Sequence, residues 1–118
     1  MKNNLMPKIP MEVFFKNGNF VLKGVSPVFE YRDGRRTDQI IGRVYTCLEL
    51  TTCESIRVKV PNPKPFMTQE AITASQEPIH VDFINAFGRY YVDRNHGHQL
   101  AVSFSADQII NTKEDLLS

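Results

Sequence analysis

The sequence predicts an all-β domain, a small antiparallel barrel or sandwich. Three observations predict it. Short runs of alternating apolar and polar residues recur along the chain, turn-forming residues separate them at roughly 8–12-residue intervals, and almost no stretch has a helical apolar period. The clearest run is Ser55-Ile56-Arg57-Val58-Lys59-Val60. As a strand it would bury Ile56, Val58 and Val60 and hold Arg57 and Lys59 outward.

The elements follow in order. Residues 1–10 include Pro7 and Pro10 and read as a flexible leader to a single β-domain over 11–112, with a tail at 113–118. Val13-Phe14-Phe15 and Phe20-Val21-Leu22 flank Lys16-Asn17-Gly18-Asn19, which reads as a hairpin because Asn-Gly tolerates positive φ at both turn positions. Asp33-Gly34 repeats that chemistry between Val28–Arg32 and a long strand from Thr37 to Leu50. In the long strand Ile40, Gly42, Val44 and Leu48 are assigned to one face and Arg43 and Tyr45 to the other, with Gly42 placed where a bend or bulge is expected. Thr51 to Glu54 turns the chain into the 55–60 strand, and Pro61, Pro63 and Pro65 end it. Residues 66–77 read either as an ordered loop or as a short helix through Ile72 and Ala74 with Thr68 as N-cap. Strands resume at Ile79–Phe83, Arg89–Val92 and Leu100–Phe104, and a short last element contains Ile109 and Ile110.

With 118 residues, 42% hydrophobic and 23% charged, the chain has enough apolar material for one core without metals or cross-links. Its net charge of +1 hides an uneven distribution. Lys16, Lys23, Arg32, Arg35, Arg36 and Arg43 face only Glu30, Asp33 and Asp38 over residues 16–43, and Arg57, Lys59 and Lys64 face Glu54 alone over 54–64. A polyanion site therefore belongs in the first half, and its binding should be modest and salt-sensitive. No stretch reaches 18 apolar residues, so no membrane span is expected, and the N-terminus lacks the apolar core of a signal peptide. This favours a cytoplasmic setting. Cys47 and Cys53 lie across a turn where a cross-strand disulfide is geometrically allowed; the cytoplasmic reading expects two reduced thiols.

The chemistry-bearing residues form no catalytic constellation. His96-Gly97-His98 and His80 lack the further ligands a metal site needs. Glu77, Asp82 and Asp93 show no acid–base spacing, and neither phosphate-loop nor nucleophile-elbow motifs occur. No metal, cofactor or enzymatic activity is expected. Aromatics are the better lead. Eight Phe and four Tyr exceed what a core of this size needs, and alternation puts Tyr45 and one of the neighbours Tyr90 and Tyr91 outward. A ring beside Arg43 or Arg89 would make a stacking surface for bases.

Four segments, in order, carry a family resemblance: Arg43-Val44-Tyr45-Thr46-Cys47-Leu48, Ile56-Arg57-Val58-Lys59-Val60-Pro61, Val81-Asp82-Phe83-Ile84-Asn85-Ala86 and Ser105-Ala106-Asp107-Gln108-Ile109-Ile110. Over about residues 27–112 the chain resembles the YdcP-like proteins encoded near the transfer genes of Gram-positive conjugative elements. Ala86 stands where that family has proline, Gln108 stands for an aspartate, and the proline-rich stretch 61–78 is long. The resemblance implies a helper of plasmid or transposon DNA processing; it supplies no binding residues.

The combined expectation is a non-enzymatic accessory protein with an OB-like fold, binding single-stranded DNA and supporting a helicase or relaxase. Arg35, Arg36, Arg43, Arg57 and Lys59 would contact phosphates, while Tyr45 with Tyr90 or Tyr91 would stack bases. The competing expectation is a homo-oligomeric adaptor of the transfer machinery that binds protein through exposed β-edges.

Overall fold

A computed structural model describes residues 6–112, apart from the side chain of His96. The expected tail at 113–118 lies outside the described residues. Eight strands form one sheet: β1 (Ile9–Pro10), β2 (Phe20–Arg32), β3 (Arg35–Glu49), β4 (Glu54–Val60), β5 (His80–Ile84), β6 (Phe87–Asp93), β7 (Gln99–Ser105) and β8 (Gln108–Asn111). Their order is β1-β6-β7-β4-β3-β2-β5-β8, antiparallel throughout except for β4 and β7, which run parallel. The domain is all-β, as the alternation predicts. Its sheet stays open rather than closing into a barrel.

The sheet nevertheless curls. β5 and β6 lie near opposite ends of the order, yet only Asn85 and Ala86 connect them. Ala106 and Asp107 likewise take the chain from β7 to β8. Two-residue links hold the flanks together, and backbone bonds from Met11 N to Ala86 O and from Asp107 N to Ile84 O secure the seam. Inside the curl lies the core, with Phe20, Leu22, Tyr45, Cys47, Ile56, Val58, Val60, Val81 and Phe83 all buried. Phe15, Phe20 and Phe83 run edge to face through it, with ring centroids 5.8–5.9 Å apart, the preferred arrangement of aromatic quadrupoles.

Near the N-terminus the structure departs from the expected hairpin. Residues Met11–Phe14 form one helical turn, α1, instead of a strand. Met11, Phe14 and Phe15 fall at i, i+3 and i+4, so a single turn delivers all three inward. Phe14 packs against Tyr90 and Phe104, and Phe15 against Phe20 and Phe104. Within the stretch read as a leader, Ile9 and Pro10 pair with Gly88 and Phe87, and residues 1–5 lie outside the described residues.

Asp33 and Gly34, at φ 52° and 78°, make the predicted two-residue turn. The strands it joins are longer than expected. The runs 20–22 and 28–32 merge into β2, and Pro27 falls where β2 has no second strand beside it, a position that tolerates a missing N–H. Pairing of β3 with β4 starts only at Arg43, the partner of Pro27, so residues 28–42 project as a two-stranded arm. Gly42 sits at its root, beside the register shift that follows Val28; a Cβ there would lie 2.8 Å from the carbonyl oxygen of Val60. Of the loop and the short helix open for residues 66–77, the structure has the helix, α2 (Gln69–Ala74), and the Thr68 hydroxyl accepts from the Ala71 amide at 3.2 Å, as an N-cap does.

Glu49 is buried at the end of β3, where it ties two turns together. Its Oε2 accepts from the Asn19 amide at 2.8 Å, and its Oε1 from the Thr52 amide at 2.9 Å and the Thr52 hydroxyl at 3.0 Å. The Asn19 amide above all, with those of Thr52 and Thr51 and the Thr52 hydroxyl, holds its pKa down at about 2 against an ordinary 4.5. Because the folded state favours the carboxylate, this stabilisation is complete above the ordinary carboxylate pKa and is lost as pH falls from there through about 2. Thermal melts of Glu49→Gln should therefore show lower stability than wild type at pH 7 and a gap that narrows at pH 3. A gap that is unchanged at pH 3 would show that the charge is not what the turns use.

Both cysteines are free. Cys47 is wholly buried, and desolvation pushes its thiol up to about 12, whereas Cys53 is exposed in the β3–β4 turn. They point to different environments, so the chain gains no cross-link between these strands.

Candidate nucleic-acid interface

Register decides which side chains share a face, because directly paired residues point to the same side of a sheet. Tyr45 pairs with Val58, Cys47 with Ile56 and Arg43 with Val60, all on the inner face. Arg57 pairs with Thr46 and Lys59 with Val44, on the outer face. The expected shelf of Arg43, Tyr45, Arg57 and Lys59 therefore does not form: the first two lie on the opposite side of the sheet from the last two.

Tyr45 is not a stacking surface. Only 1% of it is exposed, and its hydroxyl accepts from the Phe66 amide at 2.8 Å, which fastens the proline-rich connection beneath the sheet. Arg43 is half-buried, and its Nε donates to the Pro63 carbonyl at 2.7 Å. Arg35 and Arg36 stand at the tip of the arm, roughly 25 Å from the β4 cations at the rise of an extended strand. There the Arg36 guanidinium lies over the Phe29 ring at 4.3 Å, and the Arg32 Nε pairs with Glu30 at 3.0 Å. The arm is balanced in charge: Arg32, Arg35 and Arg36 match Glu30, Asp33 and Asp38.

The outer face instead gathers residues from three strands. Lys59 is in register with Ser105 across the parallel β4–β7 pair. Ser105 pairs with Phe87, Ser103 with Arg89 and Ala101 with Tyr91. Arg57, Lys59, Arg89, Phe87 and Tyr91 thus share one side, with small residues between them. Of the two neighbouring tyrosines, Tyr91 faces outward and is 46% exposed, while Tyr90 packs on Phe14 from within. Lys8 Nζ lies 4.6 Å from the Phe87 ring centroid and the Arg89 guanidinium 5.8 Å from it, so cations flank that ring as well. Among the outward positions of β6, β7, β4 and the paired part of β3, the single carboxylate is Asp93, at the far end, where it caps a short 3₁₀ turn by accepting from the Asn95 amide.

Phe87, Ser103 and Ser105 are not among the residues expected at the site, and Arg89 is expected there only as a cation beside a stacking ring. Phe87, Arg89 and Tyr91 do share parity in one run, which was the available signal. Their convergence with Arg57 and Lys59 depends on the β4–β7 pairing, which no local pattern announces.

Elsewhere, His80 Nδ1 shares a hydrogen bond with Asn19 Oδ1 at 3.2 Å, and among the described residues no three His, Cys, Asp or Glu side chains are grouped as metal ligands would be. No helix among them is long and apolar enough to cross a membrane. Comparisons with protein-family models, with curated proteins and with solved structures give no match. The outer face must be read from its own chemistry.

Proposed function

We propose that the outer face of the sheet binds single-stranded DNA and that the protein is a non-enzymatic cytoplasmic accessory factor in the DNA processing of a mobile element. One observation carries the binding: Arg57, Lys59 and Arg89 share an exposed face with the Phe87 and Tyr91 rings, the combination of cations and π-faces that a flexible polyanion with stackable bases requires. Support for a helicase or relaxase comes from the resemblance to the YdcP-like proteins.

Fluorescence polarisation with a labelled deoxythymidine oligonucleotide tests the reading. Wild type should bind at low salt, with an affinity that falls as salt rises. Three phosphate contacts give a log–log slope of about −2 for a single strand. Arg57→Glu with Lys59→Glu should weaken binding at least about tenfold, since two contacts become repulsions. Absence of binding at low salt, or a double variant that binds like wild type, overturns the reading.

The projecting arm favours a second reading, an adaptor that pairs with protein. Isolated two-stranded ribbons are marginal in water, and this one leaves the backbone edges of both strands without a third strand while exposing Tyr31 and Ile41. A native mass above that of one 13.5 kDa chain, returning to it when residues 29–40 are replaced by a short turn, would establish self-association through the arm.

A further inference from the structure

On the outer face β6 presents Phe87, Arg89 and Tyr91 in a row, and β7 sets Ser103 and Ser105 directly opposite the first two. Together with Met6 they enclose an open pocket of about 260 Å³. Arg89 sits in its middle. Its Nε is shielded from solvent and has no hydrogen-bond partner among the described residues. A shielded donor without an acceptor is rare in folded proteins, because the hydration it lost has not been replaced. The Phe87 ring beneath the guanidinium offers its face but no lone pair for that N–H.

Resting on the proposal that this face binds single-stranded DNA, we propose that the pocket is a subsite for one nucleotide. Once the side chain turns to bring Nε out of its shelter, the Arg89 fork donates two parallel hydrogen bonds to the phosphodiester oxygens, which satisfies Nε and is a geometry that lysine cannot supply. The base of the same nucleotide lies on the exposed Tyr91 ring. Ser103 and Ser105, whose hydroxyls can donate as well as accept, line the opposite wall and leave room that larger side chains would fill. Arg57 and Lys59 then act as the general electrostatic attraction, and Arg89 as the fixed point that sets where a strand stops sliding.

Arg89→Lys, Tyr91→Ala and the Arg57→Glu/Lys59→Glu pair, measured side by side on a deoxythymidine oligonucleotide and on an abasic strand of equal length, test this, with melting temperatures recorded for each. Arg89→Lys keeps the charge but should weaken the deoxythymidine strand about tenfold; Tyr91→Ala should weaken it about five- to tenfold and leave the abasic strand unchanged. If the β4 double variant loses binding while Arg89→Lys and Tyr91→Ala both stay within about twofold of wild type, the face binds DNA but the pocket is not a subsite, and the inference fails alone. Equal losses by Tyr91→Ala on both strands overturn the stacking. If wild type binds neither strand at low salt, the whole face is wrong and the subsite falls with it.

Discussion

Truncating Tyr45 to alanine should destabilise the fold by about 3–5 kcal/mol, the range for deleting a buried aromatic ring. The ring occupies the centre of the sheet, with Val25 paired on one side and Val58 on the other, and it is almost wholly buried. Its loss leaves a cavity beside the most tightly buried valine of β4 and removes the acceptor for the Phe66 amide, which loosens the 61–68 connection. Against a total stability of about 5–15 kcal/mol this is a large fraction. In a domain of this size it corresponds to a fall in melting temperature of roughly 10–20 °C. Tyr45→Phe keeps the ring and strands only the Phe66 amide, so it should cost about 1–2 kcal/mol. Calorimetric melts of the two variants give the ratio directly. Below its melting temperature Tyr45→Ala should bind oligonucleotide like wild type, since its side chain faces away from the outer cations; an alanine variant that melts with wild type but no longer binds would return Tyr45 to the surface.

How legible the chain was differs strand by strand. In β4 the alternation is legible because its two faces differ sharply: three branched aliphatics are buried, and two cations are exposed. In β3 it misled. The aliphatics Val44 and Leu48 are only half-buried on the outer face, while Tyr45, Cys47 and Glu49 occupy the inner one. A central strand that carries apolar residues on both sides offers no contrast to read. Glu49 made matters worse, since a carboxylate in a core position looks like a solvent residue until the amides that satisfy it are known. Gly42 was legible as the point where the strand departs from regular pairing. The Met11, Phe14 and Phe15 stripe was not, because one helical turn is too short to establish a period. As for the site, the β4 cations are visible in the sequence, Arg89 stands out as a cation beside a tyrosine pair, and Tyr91 is half of that unresolved pair. The rest required the parallel contact between residues 58–59 and 104–105, a pairing across more than forty residues of chain that local composition does not encode.

Gly88→Val should cost about 2–3 kcal/mol, and its consequences should extend beyond stability. Gly88 lies on the inner face of β6, under the ring of Phe14. A Cβ there would stand 2.7 Å from Phe14 Cε2 and 3.0 Å from both Phe104 Cε1 and Val102 Cγ1, so it is hemmed in on three sides before the rest of the valine is added. Phe104 is held by Phe14 and Phe15, and Val102 belongs to the neighbouring strand, so the cheapest relief is to lift Phe14 and with it α1. Overpacking of this kind typically costs 1–3 kcal/mol, and lifting a packed aromatic ring places this case near the top of that range. Since Ile9 pairs with Gly88 itself, β1 should loosen with the helix, and amide exchange at Ile9, Met11 and Phe15 should rise more than exchange in β3 or β4. The next residue along β6 is Arg89, on the other face. A strand pushed outward by a crowded inner side carries its outward side chains along, so Gly88→Val should weaken oligonucleotide binding where a β3 core variant of equal cost does not. Equal exchange rates throughout the sheet, or unchanged stability, would mean that Phe14 does not rest on Gly88 and that α1 is not clasped by the aromatic cluster.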